Sequence, residues 1–232
     1  MPTFLDSLKS WFKPRPVKLT GAKLYAACVS QARLAVFYLD YGIEDAIGAR
    51  FEMLSLHIIL LVTALKSVPP EDPRHEQALD TSQSLFDDFL LALDSALREQ
   101  GTGDLTVPKK MKRLGIVIYT RMKSWDDMWR EGASLAVQAD YAALTLYAGS
   151  AYDGGDGEGE GIVDDSIVQA EVGGRARAMA RYIMQARDAL DIDGLLEGRV
   201  TWAQPDPVDE STQLDTALDT GMDSAESVAQ TA

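Results

Sequence analysis

Residues 53–65 read MLSLHIILLVTAL, the longest apolar run in the chain, interrupted by a serine and by His57. A segment that crosses a bilayer needs about 20 apolar residues, so the run is predicted not to span a membrane. Pro69 and Pro70 end it, because proline lacks an amide donor and clashes with the preceding helical turn. We therefore predict a buried core helix over residues 49–67.

The helical spacing extends outward from this run in both directions. Between Gly21 and Gly198, apolar residues recur three and four positions apart, and no stretch shows sustained alternation of apolar and polar residues. The pattern predicts an all-α protein, a single compact domain of about six helices. The first helix is apolar on both sides, which predicts a central helix packed by several neighbours. Five of the predicted helices cover residues 22–41, 49–67, 73–100, 133–151 and 165–190. The remaining helix, the fourth along the chain, begins at a cap formed by Asp104 or Thr106 and extends to Trp129.

Three segments differ in composition from this helical domain, which is predicted over residues 21–203. Residues 1–20 form a basic amphipathic N-terminal segment. Residues 153–164 contain DGGDGEGEG, whose glycines and repelling carboxylates predict a mobile acidic loop. Residues 204–232 are acidic, rich in small residues and free of basic ones, which predicts a disordered acidic tail.

Composition limits the partners and the compartment. The chain has 232 residues and a formal net charge of −14, so its surface as a whole repels nucleic acid, and we predict no specific DNA binding. Cys28 is the only cysteine, which excludes an internal disulfide and fits a reducing compartment. The first residues lack the continuous apolar core of a secretory signal. We therefore predict a cytoplasmic protein.

Residues that could carry catalysis or bind a metal are few. The chain has two histidines, and His57 lies inside the apolar run, where a hydrogen-bonded core histidine is the usual role. Asp156, Glu158 and Glu160 have the spacing of a calcium-binding loop, but its twelfth position is Ile167 instead of a bidentate carboxylate. No phosphate-binding, dinucleotide or zinc-protease motif is present. We predict no metal, no cofactor and no catalytic residue.

The fourth predicted helix has two features that favour binding. Six apolar residues share one side of it, three or four positions apart: Met111, Leu114, Ile118, Met122, Trp125 and Trp129. Four cations crowd its beginning, where the helix dipole disfavours positive charge: Lys109, Lys110, Lys112 and Arg113. These four residues, the basic patch, are either a solvated face or a contact surface for a membrane or a ribosome.

The N-terminal segment has the outline of a membrane-surface anchor. Four apolar residues share one helical side and are predicted to contact the membrane: Phe4, Leu8, Trp11 and Phe12. Lys9, Lys13 and Arg15 lie nearby and suit anionic headgroups. A frayed terminus, or a segment folded back on the domain, fits the same short stripe equally well.

A series of spaced motifs lies between Leu24 and Arg121. The first part contains Gln31-Ala-Arg33, Phe37-Tyr38, Asp45, Gly48-Ala-Arg50-Phe51-Glu52-Met53 and Leu56-His57. The second part contains Asp94-x-x-Leu97-Arg98-Glu99-x-Gly101-x-Gly103-Asp104, Val107-Pro108-Lys109, Met111-Lys112, Tyr119 and Arg121. Together these spacings resemble the ubiquinol-cytochrome c chaperone family, the assembly factors for cytochrome b. Thr120 stands where the family has a glycine, and Trp125 where a tyrosine is usual.

The resemblance implies an all-helical chaperone, without catalysis, that binds newly synthesised cytochrome b and promotes assembly of the ubiquinol-cytochrome c reductase complex. It implies that the shared residues maintain the fold or bind the client: Arg33, Tyr38, Asp45, Arg50, Phe51, Glu52, His57, Asp94, Arg98, Glu99, Asp104, Lys112 and Arg121. We predict that seven of them form a partly buried ion network: Arg33, Asp45, Arg50, Glu52, Asp94, Arg98 and Glu99.

Such a client requires an apolar surface, because a membrane segment outside lipid exposes about 20 apolar residues. We predict that adaptable side chains provide it: Met111, Tyr119, Met122, Trp125 and Trp129.

Mitochondrial relatives act near the ribosome tunnel exit with a small partner, so the ribosome is a further expected partner. The acidic bacterial form is expected at the cytoplasmic face of the inner membrane, in peripheral contact with it. Two alternatives stay open, a helical enzyme acting on an apolar substrate and a generic membrane-surface adaptor.

Overall fold

Helices are the only regular elements in the computed structural model, which describes residues 16–147, 165–206 and 208. This confirms the predicted all-α class. The helices are α1 (Pro16–Ala32), α2 (Ala35–Leu39), α3 (Ile47–Lys66), α4 (His75–Glu99), α5 (Val107–Arg130), α6 (Leu135–Ala142) with a π-helical turn after it (Ala143–Tyr147), α7 (Asp165–Asp188) and α8 (Ile192–Leu196). The predictions for residues 1–15, for the acidic loop 153–164 and for residues 209–232 lie outside the described residues, and with them Phe4, Leu8, Trp11 and Phe12.

Helix α3, which contains the apolar run of residues 53–65, lies at the centre of the fold. It packs against α1, α4, α5, α7 and α8, and Ile58, Leu60 and Leu61 are completely buried. Helix α1 is packed by several neighbours, as predicted, since it contacts α3, α4 and α8, but α3 is the helix that is buried around nearly its whole circumference. The helix starts at Ile47 and has 20 residues, so by length and composition it could cross a membrane, contrary to the prediction from the run alone. In the fold, however, 72% of its apolar window is buried inside the protein, as is typical of a core helix.

The first predicted helix, residues 22–41, is two helices in the structure. Helix α1 ends at Ala32, and Leu34 adopts an extended backbone with ψ at 129° before α2 begins. The Tyr38 hydroxyl donates a hydrogen bond to the Ala32 carbonyl oxygen (2.9 Å), which satisfies an acceptor at the end of α1. The break places Phe37 in the core, where it is completely buried.

Helix α1 begins at Pro16 instead of near residue 22, so Gly21 lies within it. At Gly21 the backbone of α1 crosses α4 so closely that an added Cβ atom would lie 2.8 Å from the carbonyl carbon of Ser84. Glycine alone permits this approach, because it has no side chain. Gly115, within α5, has no such neighbour inside 4 Å.

Substituting these two glycines is expected to change stability in opposite directions. Gly21→Ala should lower the free energy of unfolding by about 1–3 kcal/mol, because the methyl group forces α1 away from α4. Gly115→Ala should raise it by about 0.5–1 kcal/mol, because alanine is the better helix former and the site is open. Urea unfolding followed by circular dichroism measures both. A Gly21→Ala protein as stable as Gly115→Ala would show that α1 and α4 do not approach this closely.

The segment after α7 returns to the core through α8, which has no counterpart among the predicted helices. The Asp191 side chain caps α8 by accepting a hydrogen bond from the Gly194 amide (2.8 Å), and Leu195 is completely buried. Beyond α8, Trp202 lies edge-on against His57, with ring centroids 5.1 Å apart. A helix of five residues is too short for an apolar period to stand out in the sequence.

Candidate functional site

A buried histidine lies at the centre of a polar network between helices. His57 Nδ1 lies 2.7 Å from the Met53 carbonyl oxygen, and its Nε2 lies 2.8 Å from the Tyr182 hydroxyl. The same hydroxyl accepts a hydrogen bond from the Gln31 side chain (3.0 Å). Burial lowers the pKa of His57 to about 4, so the ring is neutral near pH 7. His57 is the hydrogen-bonded core histidine that the sequence predicted.

A second buried polar contact joins α3 to α5. Two nitrogens of Arg121 each lie 3.4 Å from a carboxylate oxygen of Glu52, and the side chains are 19% and 3% exposed. Burial raises the pKa of Glu52, although Arg121 acts in the opposite direction. The guanidinium also lies 6.0 Å from the ring centroid of Tyr141 on α6. Because Tyr119 and Met122 flank Arg121 in the sequence, the ion pair positions the part of α5 that carries them.

The other charged family residues do not form the single partly buried network that we predicted. They make local pairs: Asp45 with Arg50 (2.6 Å), and Arg98 with Asp94 (2.7 Å) and Asp104 (2.5 Å). Each pair joins residues at most six positions apart, so it holds one turn or helix end and does not reach Glu52. Of the remaining family residues, Phe51 is buried in the core. Three are exposed: Arg33, Glu99 and Lys112.

A groove of about 780 Å³ opens between α3, α5, the end of α7 and the start of α8. Six lining residues are apolar or aromatic: Ala64, Tyr119, Met122, Trp129, Leu190 and Ile192. The others are polar or charged: Thr63, Lys66, Ser67, Lys123, Asp126, Arg130, Arg187 and Asp188. These residues define what we call the α3–α5 groove.

The groove contains three of the five side chains predicted for an apolar binding surface: Tyr119, Met122 and Trp129. Trp125 was wrongly placed on that surface, because it is 2% exposed. It is covered by Trp129, stacked at 5.5 Å, and by Tyr141, which contacts it edge-on at 5.1 Å. Met111 is half-buried against the core and is not among the residues that line the groove.

Trp129 makes a contact between α5 and α7 in the wall of the groove. One neighbour of its ring is the buried Trp125, and another is the Arg187 guanidinium, 5.4 Å from the ring centroid. The indole nitrogen is buried and has no hydrogen-bond partner among the described residues. Arg187 lies far from Trp129 in the sequence, so no local pattern could have predicted this contact.

The groove is positive although the chain as a whole is acidic. Its lining contains four cations, Lys66, Lys123, Arg130 and Arg187, and two carboxylates, Asp126 and Asp188. Arg130 is paired with Asp126 (3.1 Å), whereas no carboxylate within the described ranges forms an ion pair with Lys66 or Arg187. Sequence reasoning missed both unpaired cations, because isolated basic residues at helix ends carry no signal of a shared groove.

The basic patch lies at the beginning of α5, outside the α3–α5 groove. Lys109, Lys112 and Arg113 are exposed, and Lys110 is half-buried. Proline stands in the first turn of the helix, as predicted, but the side chain of Thr106 makes no capping hydrogen bond. The patch is therefore a surface that remains open to a partner.

The described residues form no metal-binding group, and the thiol of Cys28 is shielded from solvent. Among residues 16–147, 165–206 and 208, no three His, Cys, Asp or Glu side chains are grouped for a metal ion. Cys28 is completely buried, and burial raises the pKa of its thiol. The fold and the groove thus define an all-helical protein with a surface groove lined by both apolar and charged side chains.

Comparison with known proteins assigns the family. The model described as "Ubiquinol-cytochrome C chaperone" matches residues 39–202, and this chain belongs to the ubiquinol-cytochrome c chaperone family, which confirms the resemblance of its motifs. The crystal structure of the Cbp3 homolog from Brucella abortus is similar, with a TM-score of 0.62 and 25% sequence identity. That similarity covers 89% of this chain and 100% of the Brucella chain. No curated protein sequence matches the chain.

Proposed function

We propose that this protein binds newly synthesised cytochrome b and promotes assembly of the ubiquinol-cytochrome c reductase complex, without catalysing a reaction. The family supports the assembly role. The observation that carries the binding role is the α3–α5 groove, whose lining combines aromatic, methionine and aliphatic side chains. The family assignment favours this function over the helical enzyme and over the generic membrane-surface adaptor.

The apolar side chains of the α3–α5 groove can hold a membrane segment without covalent chemistry. Such a segment exposes about 20 apolar residues outside lipid. Covering one large apolar side chain is worth about 1.5–3 kcal/mol, and part of this offsets the cost of association. Met122 and Trp129 suit varied side chains, because a thioether is flexible and an aromatic ring offers a wide apolar face. A few covered side chains therefore give a reversible complex, from which a client can be handed on.

The proposed location is the cytoplasmic face of the inner membrane, in peripheral contact with it. One candidate contact is the N-terminal stripe formed by Phe4, Leu8, Trp11 and Phe12. The second is the basic patch, which is open to an anionic partner, either the membrane or the ribosome near the tunnel exit. Because the chain carries a net charge of −14, such positive clusters are where an anionic partner is attracted.

Tyr119→Lys is expected to weaken binding of an apolar cytochrome b segment at least about tenfold, because the complex must bury an added ammonium group. Tyr119 is 68% exposed, so the substitution leaves the fold intact. Leu91→Lys is the matched control, because Leu91 is 66% exposed on α4 and does not line the groove. Fluorescence anisotropy of a labelled membrane-segment peptide measures the affinity. Equal affinities of the two variants would contradict binding in the α3–α5 groove.

Deleting the gene tests the function itself. The deletion strain is expected to contain less assembled cytochrome b, measured by absorbance difference spectra of its membranes. The wild-type chain and Leu91→Lys should restore the amount, whereas Tyr119→Lys should not. Normal, stably assembled cytochrome b in the deletion strain would contradict the proposed function.

A further inference from the structure

A strip of cations and aliphatic side chains runs along the outer face of α5 and the turn before it. Its members lie three or four positions apart, or next to one another: Leu105, Lys109, Lys112, Arg113 and Ile116. All five side chains are exposed, Leu105 to 90% and Ile116 to 60%. Leu114 and Ile118, on the opposite side of the helix, are buried in the core. These five exposed residues, the basic strip, therefore face away from the protein.

The cations of the basic strip take no part in the ion pairs of the fold. Elsewhere in the described part of the chain, Arg74, Arg98 and Arg121 pair with carboxylates, whereas the strip cations form no ion pair there. They also occupy the first turns of α5, where the helix dipole disfavours positive charge. Their position slightly weakens the fold, so a negatively charged partner accounts for them better than folding does.

The aliphatic residues indicate what kind of anionic partner fits. Leu105 and Ile116 lie at the two ends of the strip with the cations between them, and both are in contact with solvent. A lipid surface satisfies both chemistries, because its headgroups attract cations while aliphatic side chains enter the boundary of the acyl region. RNA satisfies only the charge, because sequence-tolerant RNA binding uses aromatic side chains that stack on bases, and the strip has none.

We infer that the basic strip is a docking surface for an anionic lipid bilayer. Because the chain has a net charge of −14, its acidic surfaces are repelled by such a bilayer, so the strip also sets the orientation of the molecule. Tyr119 of the α3–α5 groove follows Ile116 by three residues, about 4.5 Å along the helix axis. Docking through the strip thus brings the groove next to the membrane. The inference rests on the proposed peripheral membrane contact, since Lys109, Lys112 and Arg113 belong to the basic patch. It does not depend on client binding, because the strip and the groove share no residue.

Flotation of the full-length protein with lipid vesicles tests the inference in the absence of a client. The wild type should bind phosphatidylcholine vesicles that contain phosphatidylglycerol, and should not bind pure phosphatidylcholine vesicles. The charge-reversal variant K109E/K112E/R113E should lose at least about tenfold in affinity. The neutral variant L105S/I116S should lose several-fold although its charge is unchanged. Circular dichroism checks that both variants are folded, as expected for exposed positions.

A matched control separates the strip from net charge. K23E/R181E/R199E changes the net charge by the same amount at three exposed cations elsewhere, and it should retain most of the binding. Vesicle binding that survives both strip variants would overturn the inference. A second outcome would also overturn it: the wild type binds ribosomes and does not bind vesicles, K109E/K112E/R113E loses ribosome binding, and L105S/I116S keeps it. That pattern would assign the strip to RNA. Either result leaves the groove and its client test unaffected.

Discussion

Arg121→Met is expected to lower the free energy of unfolding by about 3–5 kcal/mol at pH 7, because it leaves a buried carboxylate without its partner. Glu52 is 3% exposed, and both of its oxygens lie 3.4 Å from nitrogens of Arg121. Methionine keeps much of the arginine's apolar length, so the loss reports the missing charge more than a cavity. Urea unfolding followed by circular dichroism measures the change.

The loss caused by Arg121→Met should shrink as the pH falls. Burial already raises the pKa of Glu52, and removing Arg121 takes away the charge that opposes this rise. In the variant, the carboxyl group therefore binds a proton at a higher pH and then needs no partner. The contribution of protonated Glu52 to the stability of the variant is therefore present below this raised pKa and is lost as the pH rises through it. The difference in unfolding free energy between variant and wild type should accordingly be smaller at pH 5 than at pH 7.

Two controls test whether burial is the cause. Arg50→Met breaks the exposed pair with Asp45 and should change stability little, because solvent screens such a pair. The double variant Glu52→Gln and Arg121→Met removes both buried charges and should recover much of the loss. If Arg50→Met and Arg121→Met destabilise the protein equally, the burial of the Glu52 pair is not what makes it important.

Lowering the pH from 7.5 to 5 is expected to cost about 2 kcal/mol of stability through His57 alone. The folded protein lowers the pKa of His57 from 6.5 to about 4, mainly because the ring is completely buried. The unfolded chain therefore takes up the proton first. Stability from this group is complete above pH 6.5 and is lost as the pH falls toward 4, where the loss approaches about 3 kcal/mol.

Comparing wild type with His57→Gln isolates this contribution, because the carboxylates titrate in both proteins. The variant should be less stable near pH 7, since it disturbs the bonds to Met53 and Tyr182. It should also lose less stability than the wild type between pH 7.5 and pH 5. Chemical unfolding at several pH values provides the two curves. Parallel curves would show that His57 titrates in the folded protein as it does in the unfolded chain.

Elements with strong local signals could be predicted from the sequence. The apolar run of residues 53–65 becomes the core of α3, and the spacing of Leu114 and Ile118 correctly marks the buried side of α5. The spaced motifs between Leu24 and Arg121, taken together, were sufficient to identify the family. Each of these signals depends on neighbours within a few turns, which is the range over which sequence patterns determine backbone conformation.

Elements that depend on distant contacts could not be predicted in this way. The break between α1 and α2 allows Phe37 to pack against Tyr182 on α7, with their ring centroids 4.9 Å apart. No pattern in the sequence near residue 34 predicts that contact. The partner of Glu52 is Arg121, whereas the sequence analysis predicted an ion network between Glu52 and six other charged family residues that did not include Arg121. In both cases a long-range contact outweighs the local preference, because burying the contact contributes more free energy than continuing the local structure does.

The sequence by itself determined the helical class, the core run and the family, because helical periodicity and motif spacing are local properties of the chain. Only the tertiary structure decided which apolar residues remain accessible at the surface. Trp125 and Trp129 lie one turn apart on the same stripe, yet Trp125 is buried while Trp129 lines the α3–α5 groove. The difference arises because Tyr141 covers the first ring and Arg187 from α7 meets the second. Periodicity can place a side chain on one face of a helix, but the burial of that face depends on helices that arrive from elsewhere in the chain.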